Sequence, residues 1–246
     1  MKPFLLLIVL SSFLYAQSVT VALAANVSYA MDDLKAAFYK KYPDTKLRII
    51  IGGSGKLKAQ IQNGAPYDIF MSANMRYPHA LFQEKKAITE PKIYAYGALA
   101  ILSQKRRDFS QGIQIVKDPS IRRIAVANPK TAPYGKATFE ALKNAKLYTT
   151  VKRKLIFGES IAQTVTYTMT AADLGFIAKS ALYSPKMKAF KEGVNFVEVD
   201  PKLYTPIAQG IVLLKHSKNN SDAEAFYRFI LSDEAKLIFK KYGYSL

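Results

Sequence analysis

Cysteine is absent from the 246 residues. Its absence excludes disulfides, thiolate nucleophiles and cysteine-ligated metals. Histidine is almost absent, with only His79 and His216, which excludes a multi-histidine metal site. Asp and Glu number 18 against 36 Lys and Arg, and they form no cluster that would build a carboxylate metal site. The apolar run Phe4 to Leu10 is too short to span a bilayer, and no later run is long enough. Runs of five or six basic residues are also missing, although the formal charge is +18. The cations are spread along the chain, which with export argues against a nucleic-acid partner. They suit long-range attraction of anions, much of it screened by salt.

The N-terminus has the layout of a secretory signal. Lys2 is its basic residue, Phe4 to Leu10 its apolar stretch, and Leu14-Tyr15-Ala16 offers cleavage after Ala16. Residues 1–16 are therefore expected to be removed on export, and the lack of a lipobox cysteine predicts no lipid anchor. The length suffices for two modest α/β lobes or one large domain, and with half of the residues hydrophobic a packed core can form.

Leu47 to Ile61, LRIIIGGSGKLKAQI, is the most informative stretch. Leu47, Ile49, Ile50 and Ile51 predict a buried strand. Gly52-Gly53-Ser54-Gly55 then breaks the pattern, and Leu57 and Ile61 follow at helical spacing. Such a junction aims free backbone N–H groups at one point, lets a ligand approach closely, and carries a helix dipole that favours negative charge. Ser54 is the candidate side-chain donor; an ordinary turn with Ser54 as its N-cap fits the same residues. The stretch fails as a P-loop, with Ile50 where a glycine is needed and Leu57 where Ser or Thr is needed. It also fails as a nucleophile elbow, because Lys56 stands in place of the second glycine.

Similar junctions recur. Val19 to Leu23 predicts a strand, followed by Ala24 to Ser28 and a helix through Met31, Leu34 and Phe38. Ile124 to Ala127 predicts another, followed by Pro133-Tyr134-Gly135 and a helix. Leu155 to Phe157 leads through Gly158 and Glu159 to a helix that Ser160 could cap. Alternating strands and helices predict a parallel, doubly wound sheet with ligands outside the strand carboxyl ends. Two long apolar strands, Tyr94–Leu102 and Ile207–Leu214, read as crossings between lobes. The division is then residues 18–95 plus 208–246 for lobe one and 96–207 for lobe two, facing each other across a hinged cleft.

Taken together, these residues resemble the periplasmic molybdate-binding proteins, receptors of molybdate ABC transporters. The likeness rests on Val21 to Asn26, Gly53-Ser54-Gly55, and Asn63-Gly64-Ala65-Pro66-Tyr67-Asp68-Ile69-Phe70-Met71-Ser72-Ala73-Asn74. Pro129, Pro133, Gly135, Glu159, Leu174 to Ile177, and Ile238 to Tyr244 extend it over nearly all of the mature sequence. It implies a two-lobe, type II-like periplasmic binding fold in which each lobe is a mixed, mostly parallel sheet flanked by helices. It implies a monomeric periplasmic receptor, not an enzyme, that uses no cofactor and hands molybdate, and tungstate with it, to an inner-membrane ABC permease. The family holds its oxyanion with hydroxyls and backbone N–H groups, without a direct protein–metal bond. Carried over by position, those residues are Asn26, Ser54, Tyr134 and Ile161. Some members add a tyrosine hydroxyl where Ala178 stands, so here either Tyr134 or Asn26 compensates or the ligand preference differs. Asp68 reads as structural. The competing readings are a sulfate or phosphate receptor and, further off, an exported hydrolytic enzyme.

Overall fold

The computed structural model describes residues 18–246; the signal-sequence reading of residues 1–16 falls outside them. Strand alternation organises each half of the molecule. In β1 (Ser18–Ala24), Val19, Val21 and Leu23 point to one face and Ala22 to the other. The first face packs on α1 (Met31–Tyr39), α7 (Ser221–Ile230) and α8 (Asp233–Lys241) through Leu34, Phe38, Phe226 and Phe239. Phe38 meets Phe226 edge to face at 5.0 Å. The second face packs on α2 (Ser54–Gln62) and α3 (Arg76–Gln83) through Leu57, Ile61 and Leu81. Burial of each such side chain stabilises the fold by roughly 1.5–3 kcal/mol.

That sheet runs in the order β2-β1-β3-β10-β4, with β2 Lys46–Gly52, β3 Ile69–Ser72, β4 Lys92–Gly97 and β10 Ile207–Leu213. The strands β2, β1 and β3 are parallel, and β10 is antiparallel to both neighbours. The second sheet runs β7-β6-β8-β5-β9, with β5 Leu99–Leu102, β6 Ile124–Ala127, β7 Leu155–Gly158, β8 Leu174–Ala178 and β9 Phe196–Glu198. It carries α4 (Pro133–Asn144) on one face through Ala137, Ala141 and Leu142, and α6 (Ile161–Thr170) on the other through Val165 and Met169. A short α5 (Tyr148–Val151) precedes β7. Two mixed, mostly parallel sheets flanked by helices form two lobes, as the family resemblance implies; the all-parallel sheet that the strand–helix alternation predicts is broken by β10 and β5, each antiparallel to both neighbours.

Two further expectations need correction. Leu47–Ile51 is not a buried strand. It lies in β2, at the sheet edge, with β1 as its partner and Ile51 54% exposed. An apolar run does not distinguish an edge from a centre. The second crossing does not run along Ile207–Leu214 either, because β10 lies wholly in the first sheet. The chain passes between sheets at Ala98, where β4 gives way to β5, and again in the segment that leads into Ile207.

After α8 the chain turns back by a Schellman motif. Gly243 takes a positive φ of 75°. Its N–H donates to Lys240 O, the N–H of Tyr244 donates to Phe239 O, and the rings of Phe239 and Tyr244 meet at 5.5 Å. Ser245 and Tyr96 then exchange backbone hydrogen bonds, seating Tyr244 beside the point where the chain changes lobes.

Candidate anion site between the lobes

Four strand-to-helix junctions converge on one small cavity between the lobes. Asn26 comes from the 3-10 turn Ala25–Tyr29 after β1, and Ser54 opens α2 after β2. Tyr134 stands in the first turn of α4 after β6, and Ile161 opens α6 after β7. All four line this cavity, together with Gly52, Gly53, Ala73 and Pro133. All four are buried, and no charged side chain is among the lining residues. The sequence pattern thus brings these residues together, two from each lobe.

The local chemistry favours donors. Ser54 is the first residue of α2 and Gly53 is its N-cap, with no side-chain capping bond. The Ser54 hydroxyl instead accepts the N–H of Ala73 at 3.0 Å, which leaves its own proton to donate. Tyr134 follows Pro133, whose fixed φ suits the first helical position. At Tyr134 and Ile161 the backbone N–H groups sit in first turns, where helix geometry supplies no intrahelical acceptor. Ser160 caps α6 by accepting from Gln163 N at 3.2 Å, which fixes where Ile161 points its N–H.

Asn26 differs from expectation. Its Nδ2 donates to Gln209 Oε1 at 2.8 Å and to Tyr244 OH at 2.9 Å. Both amide hydrogens are taken, so the Asn26 side chain is no hydroxyl-like donor. Its contribution to the cavity falls to the turn's main chain. The Asn26 Oδ1 is buried and lacks a partner among the described residues; the buried Tyr134 hydroxyl lies close to the Asn26 amide without a well-formed hydrogen bond. The Tyr134 hydroxyl lies against Gly97, where an added Cβ would overlap it. Burial, with Tyr244, Tyr94 and Tyr204 nearby, holds this phenol well above its ordinary pKa, so it stays a neutral donor.

The lobes touch across the cleft. Gly55 N donates to Thr131 O at 2.9 Å. A Cβ on Gly53 would sit 2.8 Å from Glu159 O, and one on Gly55 would sit 2.7 Å from Thr131 O. Lys56 and Glu159 pair at 3.6 Å above this rim, both exposed. On the opposite side, the Ser180 hydroxyl from the turn after β8 donates to Asn26 O at 2.9 Å. Gln209, Tyr244 and Ser180 escaped the sequence reading, because nothing in their spacing marks long-range side-chain partners.

The remaining chemistry-bearing residues lie elsewhere. Asp68 is buried; its carboxylate accepts from Thr20 N at 2.7 Å and meets His216 Nδ1 at 2.9 Å. It fastens β3 to its neighbours, as a structural residue does. His79 is in the middle of α3. Among the described residues no group of three or more His, Asp or Glu could hold a metal ion, and no helix is long and apolar enough to cross a membrane.

Two α/β lobes closed over a small, uncharged, donor-lined cavity define a solute receptor of the two-lobe binding class. The chain belongs to the bacterial extracellular solute-binding proteins, whose family model matches residues 19–245, and within them to the group of the molybdate-binding protein ModA. It is 35% identical to the molybdate-binding protein ModA of Azotobacter vinelandii over 235 residues, 94% of this chain and 91% of that protein. Against the ModA of Rhodobacter capsulatus the identity is 34%, covering 93% of this chain and 88% of the relative. The solved structure of the Azotobacter vinelandii periplasmic molybdate-binding protein superposes with a TM-score of 0.85 at 30% identity, covering 93% of this chain and 99% of that one.

Proposed function

We propose that the protein is an extracytoplasmic receptor that captures molybdate, and tungstate with it, and delivers it to the membrane permease of an ABC transporter. The observation that carries the reading is the cavity itself, in which neutral donors from four helix or turn starts meet without one charged side chain. A tetrahedral dianion presents only acceptors, and hydrogen bonds to a charged partner are roughly twice as strong as neutral ones. Helix N-termini add a favourable dipole. Asn26, Ser54, Tyr134 and Ile161 are the proposed ligand residues. The molybdate ion is held through its oxygens alone, with no protein–metal bond. Ala178 offers no hydroxyl, and the Tyr134 phenol, buried beside the Asn26 amide without a well-formed hydrogen bond, is the group proposed to make up for it. Kinship with molybdate-binding proteins along almost the whole chain supports molybdate over other oxyanions. The mature receptor acts as a periplasmic monomer.

The deciding experiment is calorimetric titration of the exported protein with molybdate, tungstate, sulfate and phosphate. Tight one-to-one binding of the first two alone is expected. Binding of sulfate or phosphate with no heat from molybdate would keep the fold and discard the ligand.

A further inference from the structure

The hydrogen bonds behind the cavity have a direction that can be read from a fixed end. The backbone carbonyl of Ile207 can only accept, and Gln209 Nε2 donates to it at 3.0 Å. Gln209 Oε1 must therefore face the other way, where it accepts from Asn26 Nδ2 at 2.8 Å. That in turn fixes the Asn26 amide, since turning it over would set two carbonyl oxygens against each other. The second Asn26 amide hydrogen goes to Tyr244 OH at 2.9 Å, and the Tyr244 hydroxyl donates onward to Asn26 O, also at 2.9 Å. Tyr244 thus grips one residue at both its side chain and its main chain. All these groups are buried, where an unmatched polar atom is costly and a matched one holds its geometry firmly.

We propose that Tyr244 is a positioning residue for the anion site, acting through Asn26. It reaches the site from the far end of the chain, 218 residues away, aimed by the Gly243 turn. Tyr244 holds the turn after β1 so that its first N–H groups face the cavity, and Gln209 fixes the sense of the amide that Tyr244 grips. Ser180 donates to the same carbonyl from lobe two, so the turn that meets the ligand is also the seat of the second lobe. The inference rests on the anion-site reading above.

The test compares wild type, Tyr244→Phe, Asn26→Ala and the double variant. Phenylalanine keeps the ring against Phe239 and removes only the hydroxyl. In wild type both Asn26 side-chain amide protons should resonate as hydrogen-bonded, exchange-protected signals without ligand; in Tyr244→Phe one should lose that signature. Molybdate affinity should fall about tenfold in Tyr244→Phe, chiefly through faster release, and the same change made in Asn26→Ala should cost at most threefold. Equal costs in both backgrounds, or unaltered Asn26 amide signals, would overturn the proposal. The titrations use whichever oxyanion wild type binds, so a change of ligand corrects the functional reading alone. If wild type binds none of the four, both readings fall.

Discussion

The two sides of the cleft hold the lobes together by opposite means. At the outer rim the contact is main chain on main chain, with Gly53 and Gly55 against Glu159 and Thr131. Space for that approach exists because two side chains are missing. On the hinge side the contact is side chain on main chain: the Ser180 hydroxyl of lobe two donates to Asn26 O, which also accepts from Tyr244 of its own lobe. A rim of this kind is sensitive to any added atom. The hinge side loses its cross-lobe bond when the Ser180 hydroxyl goes, but Asn26 O keeps Tyr244 as a donor within lobe one, so no buried acceptor is orphaned. Closure should therefore fail abruptly at the rim and by degrees at the hinge.

Gly55→Ala should produce the largest effect. The new Cβ would meet Thr131 O at 2.7 Å and both Thr131 Cα and the Tyr77 hydroxyl at 3.0 Å. Overpacking of this sort costs roughly 1–3 kcal/mol, and loss of the Gly55–Thr131 bond adds about 1 kcal/mol. Ligand affinity should fall roughly 100-fold. The melting temperature of the ligand-free protein should fall much less than the affinity, because the tightest contacts, with Thr131, arise between closed lobes and only the one with the Tyr77 hydroxyl lies within lobe one. A calorimetric titration beside a thermal melt checks both; a large drop in the melt would place the damage inside lobe one.

Ser54→Ala comes next. It removes a proposed charge-assisted bond worth roughly 1.5–3 kcal/mol and leaves the buried Ala73 N–H without its acceptor. A loss of about tenfold or more is expected. Ser28→Ala is the matched control from the β1 junction. Its hydroxyl donates to Ala25 O within its own turn, and the loss should stay below about threefold. Equal affinities for the two variants would remove Ser54 from the site.

This pair shows what the sequence made legible. Strand, glycine turn and helix start are local features, so the junctions at Asn26, Ser54, Tyr134 and Ile161 could be read from spacing and family likeness. The cavity they share depends on sheet order, which places β1 beside β2 and β6 beside β7. Edge position was not legible, because Ile49 to Ile51 has the same composition whether one neighbour strand is present or two. Nor was the occupation of the Asn26 amide, which depends on Gln209 and Tyr244, 183 and 218 residues away. Local pattern fixes which backbone groups are free. Only the folded chain decides which side chains are already engaged.

Ser180→Ala sharpens the hinge half of the comparison. Asn26 O loses one donor and keeps Tyr244 OH, so no buried acceptor is orphaned. Affinity should fall only about threefold, as for one neutral hydrogen bond. A loss as large as that of Gly55→Ala would mean the hinge side tolerates no more than the rim. Smaller still is Lys56→Gln. The Lys56–Glu159 pair is 3.6 Å long, with side chains 63% and 78% exposed, and solvent screening leaves such pairs near zero. Affinity should change by less than about twofold at physiological salt.

The smallest expected effect is that of pH, and it tests whether the site is neutral. Among the cavity's lining residues Tyr134 is the one titratable side chain, and burial holds its phenol well above the ordinary value near 10. Ligand affinity should therefore be flat from about pH 6.5 to 9. A tenfold change per pH unit within that range would require an ionising group in the site and would contradict the neutral-donor reading. Above this range the fold should fail before the chemistry changes. Burial pushes Tyr29, the last residue of the Asn26 turn, up to about 12. A phenol raised in the folded state contributes stability that is complete below the unfolded value near 10 and is lost as pH climbs towards 12. Tyr94, Tyr134 and Tyr244 are raised in the same direction. The phenolate absorbance of these four tyrosines should thus appear only together with the loss of molybdate binding, as a cooperative alkaline step; full phenolate absorbance from every tyrosine in a protein that still binds would contradict their protected state.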